Sequence, residues 1–282
     1  MRHFGEINAH HSLLRNAPFT IGVSAWCIGI AGCVTVDPRP DFDRTEQMVA
    51  TRTGVDQAYN PATSSAAEDA VAALLAGGLT TDEAAQVALL NNKRFQALVQ
   101  GIGVSRAEVV QSGLLTNPSI GLSTRFPEGG GRSNLTLTLG QQVADLWLIP
   151  VRKRIAVAAL EQTIFNIVHQ ANNLASDARR DCYQVIALKE LESIASETLE
   201  IARKSLKLAN DRFEAGEAGK VDVNLARASV LNMRVRLMEI YREAELSRTT
   251  LAHTLGLARW REPWTLEDSL PQDAVEFDDD ES

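Results

Sequence analysis

Three cysteines, five histidines and many carboxylates are the residues of this 282-residue chain that could do chemistry. Thiolates attack carbon or hold soft metals, imidazoles move protons or bind zinc, and paired carboxylates work as acid and base. Their spacing supports none of these roles. Cys27, Cys33 and Cys182 form no C-x-x-C pair, so a zinc knuckle or dithiol site is not indicated. The one close pair of imidazoles, His10 and His11, falls in a leader-like N-terminus. Glu190, Glu192, Glu197 and Glu200 read as one solvated helix face, not as a convergent cluster. The expectation is a chain with no catalytic residues, no metal and no cofactor. A net charge of −8 also argues against a nucleic-acid partner, which needs clustered cations.

One cysteine has a different chemistry open to it. Arg2 and Arg15 precede an apolar run from Pro18 to Gly32. At about 15 residues that run is short for a membrane-spanning helix, which needs about 20. It ends Ile30-Ala31-Gly32-Cys33, small residues before a thiol, which resembles a bacterial lipoprotein signal. That resemblance implies a signal peptide over 1–32 and a palmitate-bearing lipid anchor on Cys33. Val34 rather than Asp follows, which implies sorting to the outer membrane. A plain membrane anchor or an ordinary signal peptide is the alternative. Residues 33–79, rich in Asp, Pro, Thr and Ser, are expected to form an extended linker.

The elements beyond are mostly helical. Thr80-Thr81-Asp82-Glu83 has the form of a capping box, and a helix is expected from there to Ser112. Gly101 and Gly103 weaken its second half. A strand hairpin is expected over 118–143. Ile120, Leu122, Leu135, Leu137 and Leu139 alternate with Gly121, Ser123, Arg125, Thr136 and Thr138. The apolar set is expected to face lipid and the polar set a lumen, as in strands of a transmembrane β-barrel. A hairpin capping a soluble helical domain is the alternative. A long helix is expected over 150–212, free of Gly and Pro after its start. Its seam is Leu160, Ile164, Ile167, Ala171, Leu174 and Ala178, then Ala195, Leu199, Ala202, Leu206, Ala209 and Phe213. Gly216 and Gly219 interrupt at a tip over 213–222, and a second helix follows over 222–256. Its seam is Ala226, Val230, Met233, Leu237, Ile240, Ala244 and Leu251. The fold class expected is mainly α: a long antiparallel helical hairpin with coiled-coil-like packing, plus one two-stranded membrane β-hairpin. The first and last helices together match the middle one in length, so they are expected to stack end to end beside it.

This arrangement resembles the TolC-like outer-membrane efflux proteins. The residues that carry the resemblance are Glu83-Ala84, Ala88-Leu89 and Asn91-Asn92, then Gly113 to Pro118, Gln141-Gln142-Val143 with Arg152-Lys153-Arg154, and Arg212 to Gly216 with Asp222-Val223 and Ala226-Arg227. Lys93 stands where the family often has Pro. The resemblance implies a trimeric, passive efflux duct. Such a duct is held in the outer membrane, extends into the periplasm, and joins a periplasmic adaptor (membrane fusion) protein and an inner-membrane pump. Phe213, Gly216, Gly219 and Asp222 would form the adaptor-docking tip. Family protomers have two strand-and-helix repeats; here one is expected, over 80–257, as half of a TolC-like protomer. Residues 258–282 are expected to be an equatorial-like linker, through Trp260 and Trp264, and an acidic disordered tail. A truncated or split chain, or assembly of more than three copies, would account for the single repeat; truncation is the expectation, and with it no conducting trimer from this chain alone. The competing reading is a lipid-anchored periplasmic coiled-coil structural or adaptor protein without a pore.

Overall fold

The computed structural model describes residues 35–126, 129, 132–257 and 265–266. Cys33, the signal peptide, most of the hairpin turn and nearly all of the acidic tail lie outside the described residues. The chain divides into two units, Met1–Val36 and Asp37–Ser282, and all of the helices and strands among the described residues belong to the second.

Its order is α1 (Arg39–Thr53), a 3-10 turn (Pro61–Thr63), α2 (Ser64–Ala76), α3 (Thr81–Asn91), α4 (Lys93–Ser112), β1 (Ser119–Arg125), β2 (Asn134–Gly140), α5 (Asp145–Glu214) and α6 (Lys220–Thr254). The fold is mainly helical. α5, with 70 residues, is about 105 Å long at 1.5 Å per residue. α6 returns antiparallel along it, and α1, α3 and α4 pack along its other half. The core follows most of the expected seam: Leu160, Ile164, Ile167, Ala171 and Ala178 of α5 are buried and Leu174 is half-buried, with Ala175 and Cys182 buried beside them. Small seam residues let the neighbouring helices approach closely.

The extended linker expected over 33–79 is corrected: much of it is helix. α1 buries Phe42, Thr45, Val49 and Thr53, one helical face with only two apolar members. The Thr45 hydroxyl donates to the Asp41 carbonyl at 2.6 Å, and that of Thr53 to the Val49 carbonyl at 2.8 Å. Both hydroxyls are thus satisfied within the helix and can be buried. Asp41 is buried as well, and receives two hydrogen bonds from Arg106 of α4 at 2.6 and 2.7 Å.

The single helix expected over 80–112 is two. The capping box at Thr80 and Glu83 is present. Asn92 breaks the run with an extended ψ of 111° and restarts it, its side-chain oxygen accepting from the Arg94 and Phe95 amides at 3.1 Å each. Gly101 and Gly103 do not interrupt α4. Gly103 lies beside the Phe42 ring of α1, where a Cβ would meet the ring at 4.0 Å, an ordinary contact.

The break meets the end of α6. Asn91 donates to the Leu255 and Gly256 carbonyls, and Asn92 to the Thr254 carbonyl, each at 3.0 Å. Two side-chain amides thus satisfy carbonyls that a helix end leaves unpaired. α4 on one side of this joint and α6 on the other lie end to end beside an unbroken α5. Thr254 also donates to Asp181 of α5 at 2.7 Å, which ties the joint to it.

Candidate functional site: the strand hairpin and the helical tip

β1 and β2 pair antiparallel with Ile120 opposite Leu139, Leu122 opposite Leu137, and Thr124 opposite Leu135. Alternation puts these on one face, with Ser123, Thr136, Gly121, Thr138 and Arg125 on the other. Ile120, Leu122, Leu135, Leu137 and Leu139 are 66–73% exposed. Five large apolar side chains facing outward on a two-stranded ribbon form a patch that calls for a partner.

The transmembrane β-barrel expectation is corrected here. The strands among the described residues pair only with each other, in a two-stranded sheet and not a closed barrel. Each has seven residues, fewer than the 9–11 or so of a membrane-spanning strand, and a closed wall requires both edges of every strand to be paired. Among the described residues no helix is long and apolar enough to cross a membrane.

A buried carboxylate fixes the root of the hairpin. Asp145, the first residue of α5, is fully buried. It accepts from the Thr116 amide at 3.0 Å and from Arg152, two turns on, at 2.5 Å. Hydrogen bonds from the Thr116 side chain, Arg152 and the Thr116 amide lower its pKa from 3.8 to about 2. Gln141 donates to the Thr116 carbonyl at 3.1 Å, so the chain entering β1 is held to the chain leaving β2. Sequence reasoning did not single out Asp145. The available signal was an acid seven residues before an Arg at a helix start. The long helix begins there rather than at 150, and Pro150 lies inside it, near the end where missing amide donors matter least.

At the far end of α5, Gly216 adopts φ 78°. Its amide donates to the Phe213 carbonyl at 3.0 Å, and the Glu217 amide to the Arg212 carbonyl at 2.8 Å, the two bonds of a Schellman cap. Gly219 then starts α6. Its amide donates to Asp222 Oδ2 at 2.9 Å, and the Asp222 amide donates back to the Gly219 carbonyl at 3.0 Å. Asp222 thereby closes its own turn, and its charge favours the positive end of α6. Phe213 is 46% exposed beside these glycines. The tip residues expected from sequence do come together in one turn. The strand residues form a separate group about 100 Å away along α5. Among the described residues no group of three or more His, Cys, Asp or Glu is placed to hold a metal.

The model of the outer membrane efflux protein family matches residues 84–257, from the buried face of α3 to the end of α6. The chain belongs to that family. The fold is also that of solved membrane proteins. The outer-membrane channel OprN is 18% identical with a TM-score of 0.55, over 64% of this chain and 44% of the channel. A membrane protein from Pseudomonas aeruginosa is 15% identical at 0.54, over 63% and 44%. The Campylobacter jejuni CmeC outer membrane channel is 17% identical at 0.53, over 62% and 40%. This chain spans less than half the length of each of them. No curated protein matches it.

Proposed function

We propose that this chain is a subunit of an outer-membrane efflux duct, a passive conduit for solutes leaving the periplasm. One observation carries the reading: a single 70-residue helix bears an exposed apolar hairpin at one end and an exposed glycine-capped tip at the other. On this reading Ile120, Leu122, Leu135, Leu137 and Leu139 contact outer-membrane lipid. Cys33 carries the lipid anchor once 1–32 is removed. The tip of Phe213, Gly216, Gly219 and Asp222 meets a periplasmic adaptor, which links the duct to an inner-membrane pump.

Self-association accounts for a second feature. α6 packs its inner seam on α5, yet Val221, Leu225, Leu231, Val235 and Met238 on its other side are 53–69% exposed. A helix apolar on two sides belongs between two neighbours, as it would in the trimer that the family resemblance implies. The rival reading, a poreless coiled-coil or adaptor protein, accounts for α5 and α6 but leaves the hairpin's apolar face unpartnered.

Photo-cross-linking tests the proposal. A photoreactive residue at Glu217, in the tip turn, is expected to capture an adaptor protein, and one at Glu190, midway along α5, is not. The captured complex should fractionate with the outer membrane. Equal capture from both positions, or none from the tip, would overturn the reading.

A further inference from the structure

Residues 146–160 of α5 contain no acid; apart from Arg152, Lys153 and Arg154 every side chain there is apolar. Arg152 is committed to Asp145. Lys153 and Arg154 are exposed, and among the described residues neither forms an ion pair. Arg154 donates only to the Pro150 carbonyl of its own helix, at 3.4 Å, and the Lys153 stem runs near Gly113 at the end of α4. Around them Leu146, Trp147, Leu148, Val151 and Ile155 are 43–73% exposed. Helical spacing places Leu146, Pro150, Lys153 and Val157 on one strip and Trp147 with Arg154 on the next. Pro150, Lys153, Arg154 and Val157 line a surface groove with an apolar floor.

This pattern of tryptophan and leucine with cations one or two turns beyond fits the boundary between hydrocarbon and headgroups. Trp147 and Arg154 are about 10 Å apart along the axis. An indole at the acyl boundary would therefore leave the guanidinium among phosphates, with the apolar stems of Lys153 and Arg154 against the groove. The charge balance sharpens the assignment. With a net charge of −8 the chain as a whole is repelled by an anionic surface, so attraction has to come from a local pair of cations within about one Debye length of it.

We infer that the first three turns of α5 are a headgroup site for anionic phospholipid, with Lys153 and Arg154 holding the phosphate and Trp147 seated at the acyl boundary. The site rests on the hairpin's contact with lipid, because the hairpin root at Asp145 and Thr116 sets these turns beside it.

Flotation of the full chain with two kinds of vesicle tests this: phosphatidylcholine alone, and phosphatidylcholine mixed with phosphatidylglycerol. The expected result is a salt-sensitive preference for the mixed vesicles of roughly twenty-five-fold, at about fivefold for each of two cations. K153Q/R154Q should abolish the preference while neutral-vesicle binding persists. K153R/R154K should keep it, as should K204Q/K207Q, which removes two cations far along α5. A preference that survives K153Q/R154Q overturns the site, and so does equal flotation of the unaltered chain with both vesicles. Flotation with neither vesicle removes the hairpin's lipid contact and the headgroup site together.

Discussion

Gly256 sits so close to Asn91 that a Cβ on the glycine would lie 2.7 Å from the Asn91 carbonyl oxygen. The next nearest atoms are also backbone, the Asn91 carbonyl carbon and Asn92 Cα at 2.9 Å each. Nothing at this contact is a flexible side chain that can move aside. Gly256 also has φ 72°, a conformation that an L side chain strains.

A comparison of two glycines separates these effects. Gly216→Ala, at φ 78° with open space around it, is expected to cost about 1 kcal/mol from backbone strain alone. Gly256→Ala adds the collision with α3 and should cost about 2–4 kcal/mol. Urea unfolding followed by helical circular dichroism measures both. Equal costs would show that the joint adjusts freely.

Asn92 caps α4 and donates to the end of α6, so its removal affects two helices. Asn92→Ala is expected to cost about 1–2 kcal/mol, and Asn92→Asp less, because a carboxylate keeps the cap but loses the amide donor. Thermal unfolding of the two variants against the parent decides this. An Asp variant as damaged as the Ala variant would assign the stability to the Thr254 contact instead.

The pH dependence of the hairpin root follows from Asp145. Its folded pKa of about 2 lies below the ordinary 3.8. The stabilisation is therefore complete above about pH 4 and is lost as pH falls towards 2. Hydrogen-exchange protection of the Thr116 amide should drop through that window, and Asp145→Asn should abolish the dependence. Protection that stays flat from pH 5 to about 2 would remove Asp145 from this role.

The two faces of the hairpin should differ. Leu137→Arg places a charge on the apolar face and is expected to weaken neutral-vesicle binding at least about tenfold, given about 1.5–3 kcal/mol for one buried leucine. Thr138→Arg, on the polar face, should change it by less than about twofold. Flotation of both variants reads this out, and equal losses would count against the apolar face as the contact.

Cys33 is expected to carry the lipid. Labelled palmitate should enter the unaltered chain in cells and not the Cys33→Ser variant. Equal labelling of both would remove the anchor.

What could be read from the sequence depended on how regular the pattern was. The alternation from Ile120 to Leu139 has period two and admits little but a ribbon with an apolar face, and the structure has that ribbon. The α5 seam was legible because the helix has no Gly, and no Pro after 150, to confuse its period. α1 was not, because its buried face is half threonine, and burying Thr45 and Thr53 depends on hydroxyls turned back to their own helix. The break at Asn92 was hidden for a related reason. Asparagine fits a helix interior and a cap alike, and what chooses between them is the end of α6, more than 160 residues further on. Asp145 was missed because a first-turn acid is ordinary, and its burial depends on Thr116 from another segment.

The end-to-end meeting of α4 and α6 beside α5 also has a mechanical side. Among the described residues, α5 alone runs through the level of Asp181 and Thr254 without interruption. That level is a fulcrum, with α5 as the splint across it. From Asp181 to Glu214 the lever arm is about 50 Å. A tilt of about 6° there swings the tip through roughly 5 Å at that length. Any such tilt would have to strain the hydrogen bonds of Asn91 and Asn92 to the end of α6.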